Sequence, residues 1–217
     1  MKKNYFLPLA LIVVCLILIG FFIYNRNRAV PIRHLPYYGK KKVNGNDSSY
    51  HIIPDFTFSN QNGKIISKKD IAGNIYVTDY FFTTCQSICP KMKKQMKRIY
   101  EYFKSDNDVI FVSHTVDPEN DTVETLKKFS KQMNVNDEKW IFLTGSKEKL
   151  YDLARNGYFL DATSGNGGAE DFIHTQNFAL IDKSFHIRGY YDGTDSSEVD
   201  RLIKEIELLK QEYEEKR

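Results

Sequence analysis

From Phe6 to Tyr24 the chain runs nineteen residues without a charged side chain. As a helix that run spans roughly 28 Å, about one hydrocarbon core. Asn25-Arg26-Asn27-Arg28 follows it, where a cleaved leader would end on a small-x-small site. The pattern predicts one uncleaved transmembrane helix within residues 1–24. Cys15 follows Val14 and has further apolar residues behind it, so it reads as a thiol in lipid and not as a lipidation site. Residues 25–49, with Pro31, Pro36, Gly39, Lys40–Lys42 and Gly45, read as a polar linker. Residues 50–217 remain for one domain.

In that domain the apolar period changes from segment to segment. His51 to Phe58 alternates, and Asn62-Gly63 turns into Lys64-Ile65-Ile66, a predicted hairpin. Ile75 to Phe82 is an almost unbroken apolar and aromatic run, as a central strand would be. After Pro90, Met92, Met96, Ile99, Tyr100 and Phe103 fall at helical spacing. Val109–Ser113 and Trp140–Leu143 read as strands, and Thr122–Met133 and Ser146–Asn156 as helices, the last stopped by Gly157. Asn177–Asp182 and His186–Tyr191 flank a turn at Lys183-Ser184, and Val199 to Tyr213 marks a closing helix. Strand–helix alternation with an antiparallel pair near each end implies an α/β mixed sheet flanked by helices.

Charge narrows the function. Eight of the 31 Lys and Arg lie in residues 1–45, which contain no acid, so the remaining 23 face all 28 Asp and Glu. A net-acidic domain argues against nucleic acid as a partner. The 29 Phe and Tyr provide core area without a disulfide framework. Only a few residues precede the apolar run, too few for a mitochondrial presequence. The expected location is therefore a bacterial cytoplasmic membrane, crossed once, with the domain facing the periplasm or the outside. Loop charge alone, from Arg26, Arg28 and Arg33, favours the opposite topology.

In α/β sheets the reactive site usually lies at the carboxyl ends of the strands, and there the chain reads Thr83-Thr84-Cys85-Gln86-Ser87-Ile88-Cys89-Pro90. Pro90 suits a first helical turn, which places Cys89 at a helix N-terminus and Cys85 in the loop before it. The unpaired N–H groups there favour thiolate at both sulfurs. An inert staple is a weak alternative, because closing so short a loop removes little chain entropy. Two soft donors lack a third, and an imidazole is suitable. His174, after the Ser164–Gly168 loop, is the leading candidate. His114 ends a strand and could face the site, but a supporting or purely structural role fits it better. His34, His51 and His186 read as surface or structural residues. Met92 and Met96 fit core packing better than metal binding.

These residues resemble the Sco/SenC family, thioredoxin-like proteins associated with copper delivery to cytochrome c oxidase. The resemblance rests on Cys85-x-x-x-Cys89-Pro90, on Val116-Asp117-Pro118-Glu119-Asn120-Asp121-Thr122, on Leu143-Thr144-Gly145, and on His174 ahead of Phe178–Asp182. It implies a thioredoxin-like domain over residues 50–217 and a copper site, Cu+ or Cu2+, made by Cys85, Cys89 and His174. Asp117 and His114 are candidates for a supporting role behind those ligands. It further implies a metallochaperone acting on the copper-bearing subunit of the oxidase. The partner set extends to a thioredoxin-like reductant or a second copper chaperone. The alternative is a thiol–disulfide oxidoreductase that uses Cys85 and Cys89 to reduce the acceptor's cysteines. Gln86 and Ser87 replace the family's frequent Pro and Asp, and Ile173 its frequent Asp.

Overall fold

The computed structural model describes residues 14–22, 34–44, 47–85, 89–160, 173 and 175–215. It divides into two compact units, Met1–Arg33 and His34–Arg217. In the first unit the described residues form helix α1, residues 14–22, all of them exposed. Among the described residues no helix is long and apolar enough to cross a membrane. The rest of the apolar run lies outside them, so the transmembrane expectation gains no support from the structure.

The second unit contains β1 (Lys42–Asn44), β2 (Asp47–Ser49), β3 (Thr57–Asn60), β4 (Ile65–Ser67), β5 (Ile75–Phe81), α2 (Cys89–Phe103), β6 (Val109–Thr115), α3 (Val123–Met133), β7 (Trp140–Thr144), α4 (Lys147–Asp152), β8 (Asn177–Ile181), β9 (Ile187–Asp192) and α5 (Ser196–Glu215). Seven strands form one sheet in the order β4-β3-β7-β6-β5-β8-β9. The central β5, β6 and β7 are parallel, and β3, β8 and β9 are added antiparallel. Every residue of β5, β6 and β7 is buried, which accounts for their unbroken apolar runs.

Successive side chains on each strand pack on opposite faces. Ile75, Val77 and Phe81 of β5 join Met92, Met96, Ile99 and Phe103 of α2 and Leu202, Ile206 and Leu209 of α5 in one core. Tyr76 and Tyr80 join Phe56, Phe58, Leu150, Tyr151 and Tyr158 in the other. Met92 and Met96 are therefore core residues. Among the described residues, the buried members of both cores lie within residues 35–209, and Tyr213 packs against the first. The unit thus holds all it needs to fold alone.

Three local departures from the sequence pattern have physical causes. Residues 51–56 pair with no described strand: Pro54 interrupts them, and Ile53 and Phe56 are buried in the second core. The helix after Ser146 continues past Asp152 as a π-helical turn, Leu153–Gly157, whose wider winding buries Leu153, Ala154 and Gly157. A Cβ at Gly157 would come within 2.6 Å of the Leu153 side chain, which would have to shift. Finally, the compact unit starts at His34, inside the stretch read as linker over 25–49.

The cause of that early start is a buried ion cluster. Arg188 of β9 donates to Asp182 at 3.1 Å and to Glu212 of α5 at 2.7 Å, all three side chains being 2% exposed. The guanidinium also donates to the Leu35 and Pro36 carbonyls at 2.7 and 3.1 Å, and the Leu35 N–H donates to Glu212 at 2.5 Å. Tyr38 then bridges Ile187 in antiparallel fashion. Charges this deep persist only when every donor and acceptor is matched. The backbone of residues 35–36 completes the match.

Candidate metal centre

The end of β5 and the start of α2 carry the two sulfurs. Cys89 opens α2 with Pro90 in the first turn, as the missing proline N–H demands. The Cys85 N–H donates to the Phe82 carbonyl at 3.4 Å, so the chain turns directly after the strand. Both cysteines are buried, as thiols and not as a disulfide. They are joined by a side-chain hydrogen bond.

Burial, and after it the hydrogen bond to Cys85 and the Cys85 charge, pushes the Cys89 thiol up to about 12, although a backbone hydrogen bond from Phe82 opposes the shift. The expectation of thiolate at both sulfurs therefore fails at Cys89, where desolvation outweighs the helix end. Cys89 keeps its proton at neutral pH and gives its S–H to Cys85. A soft cation that displaces this proton finds two sulfurs already within hydrogen-bonding reach, a donor set suited to copper and poorly suited to a hard ion.

Two carboxyl groups that the sequence reading did not single out support this turn. Asp121, buried after β6, accepts from the Thr83 N–H at 3.2 Å, from the Thr115 hydroxyl at 2.5 Å and from the Thr83 hydroxyl. It ties the loop before Cys85 to the end of β6, and burial raises its pKa. Asp79, facing α2 from within β5, accepts from Ser113 at 2.5 Å, and Ser113 in turn accepts from the Trp140 indole N–H at 2.9 Å. Burial pushes Asp79 up to about 7, and its charge adds to the upward pressure on Cys89. An acid in the middle of the run Ile75–Phe82 was the available signal for it.

The other candidates separate. Asp117 accepts from the Asn120 side chain at 2.9 Å, and its own N–H donates to Thr115, so it shapes the turn after β6. His114 is fully buried among Phe56, Phe58, Tyr80 and Tyr158, with its ring stacked on Tyr80. Those neighbours place it on the face opposite α2. Neither ring nitrogen has a hydrogen-bond partner. His51 donates to the Gly157 carbonyl at 2.7 Å, His34 lies 3.7 Å from Glu212, and His186 lies 3.4 Å from Asp182. His174 and the Ser164–Gly168 loop lie outside the described residues. Among the described residues no three His, Cys, Asp or Glu gather for a metal. A third protein ligand would have to come from elsewhere, as His174 would.

His114 makes acid stability a test of this geometry. Burial pushes its imidazole down to about 3, so the folded protein holds it neutral while the unfolded chain protonates below about 6.5. The unfolded state binds more protons in that window, and stability falls as the pH drops from about 6.5 toward 3. The advantage of His114→Phe over the parent chain is expected to grow by about 2 kcal/mol between pH 7 and pH 5. Denaturant unfolding at both pH values measures it, and a constant difference would mean that the ring is not buried unpaired.

Known proteins share this architecture. The SCO1/SenC family model matches residues 44–210. The SCO1 protein homolog of Bacillus subtilis (strain 168) is 32% identical over 160 residues, which cover 73% of this chain and 82% of that protein. BsSco, a solved member of the Sco family of cytochrome c oxidase assembly proteins in which a disulfide switch was identified, is 31% identical with a TM-score of 0.62, covering 72% and 92%. Arabidopsis thaliana ScoI with copper bound is 27% identical with a TM-score of 0.58, covering 72% and 98%. The mixed sheet flanked by helices is thus the thioredoxin-like Sco fold, copper is the metal found with its solved members, and this chain belongs to the SCO1/SenC family.

Proposed function

We propose that this protein is a membrane-anchored copper metallochaperone that delivers its cargo to the binuclear copper site of cytochrome c oxidase. The observation that carries the reading is the pair of buried, mutually hydrogen-bonded thiols, one opening α2 and one in the turn before it. Cys85 and Cys89 hold the copper ion, Cys89 releases its proton on binding, and His174 supplies the third donor. Asp121 and Thr83 keep the sulfur loop in register with β6. The net-acidic domain suits a cationic cargo. The anchor is residues 1–24, and the domain faces the periplasm or the outside.

The high pKa of Cys89 favours a second use of the same dithiol. Cys85 as thiolate attacks an acceptor disulfide and expels one acceptor thiolate. Cys89, once deprotonated, attacks the mixed disulfide and expels the second. The acceptor gains two electrons and becomes a dithiol, while Cys85–Cys89 becomes a disulfide that a thioredoxin-like reductant must reopen.

His174 separates the two activities, because exchange does not need it. In His174→Ala the copper(II) affinity is expected to fall by at least about a hundredfold, since losing even a group behind a ligand costs ten- to a hundredfold. The rate of dithiol oxidation should stay close to the parent value. Copper titration alongside thiol kinetics reads both, and unchanged affinity would remove His174 from the site.

A further inference from the structure

We infer that the face made by Tyr37, Tyr38, Lys40, Lys41 and Tyr50 is a docking surface for anionic lipid headgroups. Tyr37, Tyr38 and Tyr50 are 36%, 39% and 40% exposed although aromatic. They are not loose: Tyr37 stacks on Tyr50 at 4.4 Å, Tyr38 packs edge-on against Tyr190, and the Lys41 ammonium lies over the Tyr50 ring. Lys40 stands beside a recess of about 340 Å³ shared with Gly39, Phe159 and Tyr190.

The segment is held from below by buried charge. Arg188 grips the Leu35 and Pro36 carbonyls and lies under the Tyr37 ring at 4.3 Å, while Tyr38 bridges Ile187. Gly39 turns the chain with φ 96°, and a Cβ there would meet His51 at 2.7 Å. A domain that only needed a tether would have no use for a fixed row of exposed rings and ammonium groups.

Charge and sequence position select the occupant. Residues 34–41 and 49–54 contain no acid, and residues 1–45 hold eight Lys and Arg and no acid at all. Tyr with Lys is the pairing found where protein meets the headgroup layer, the ring taking the boundary and the ammonium the anionic lipid. Tyr37 follows Tyr24 by thirteen positions, a chain reach of at most about 45 Å. This location rests on the reading of residues 1–24 as an anchor; the affinity for lipid does not.

The test uses the unit His34–Arg217, whose two cores are self-contained, with vesicles of phosphatidylcholine alone or with about one third phosphatidylglycerol. Binding is expected to the anionic vesicles only and to disappear at about 0.5 M salt. Lys40→Gln with Lys41→Gln should weaken it about thirtyfold. Both side chains are exposed, and an unchanged circular dichroism melt confirms the fold. Lys40→Arg with Lys41→Arg should bind as the parent does. Equal binding to both vesicles, no binding to either, or a double Gln variant that binds like the parent overturns the proposal. So does a patch-dependent dimer without vesicles, which would make the occupant a second copy. Carbonate extraction of the full chain tests the anchor separately: its release would sink the anchor and leave the vesicle result standing.

Discussion

Arg188→Met is expected to destabilise the domain by about 3–5 kcal/mol, the usual cost of removing one partner from a buried ion pair. The substitution keeps volume but strands Glu212 and Asp182 at 2% exposure with their countercharge gone. It also deprives the Leu35 and Pro36 carbonyls of their donor. Two measurements check it. Denaturant unfolding gives the magnitude, and hydrogen exchange at Leu35 and Tyr38 should accelerate more than at Val77 in the sheet centre. A second substitution, Glu212→Leu, should restore part of the loss, because it removes a stranded carboxylate. A loss below about 1 kcal/mol would mean that the cluster is solvated and does not hold residues 35–38.

The second large effect concerns the sulfurs, which are not equivalent. In the unit His34–Arg217, which lacks Cys15, Cys85→Ser should leave a single thiol, Cys89, held up to about 12 in the parent and so almost unreactive toward thiol reagents at neutral pH. Part of that upward push comes from Cys85 itself, so the variant's Cys89 should titrate somewhat lower, yet burial keeps it high. Cys89→Ser should do the reverse: Cys85 still attacks a disulfide, but the mixed disulfide persists because nothing resolves it. Both variants should lose copper by more than about a hundredfold, the upper cost of losing a mere supporting group. Mass spectrometry of trapped adducts gives the exchange half of this prediction. Adducts of equal yield in the two variants would show that the raised Cys89 thiol has no chemical consequence.

Much of this was written in local pattern. The unbroken run at Ile75–Phe82 and the helical spacing from Met92 to Phe103 depend only on which face each residue buries, and both elements formed. The dithiol was legible because strand end, paired cysteines and proline are contiguous. What escaped was set by partners far apart in the chain. Thr83 and Asp121 meet across 38 positions, so neither looks unusual alone. Leu35 meets Arg188 across 153 positions, and a stretch with two prolines and three lysines looks like a tether until those partners are known. His114 shows a related limit: its place at the end of β6 left a role at the site open, and only strand alternation in the folded sheet turns its ring to the opposite face, where it is structural. The Cys89 proton was missed because a helix N-terminus can be read from sequence and the burial of one sulfur cannot.

Copper titration of the reduced domain, followed by metal analysis and absorption spectroscopy, puts the central claim most directly at risk. One copper ion per chain, with sulfur-to-copper charge-transfer bands that vanish in Cys85→Ser, is the predicted result. Copper bound without those bands, or bound equally well after both cysteines are replaced, would contradict it.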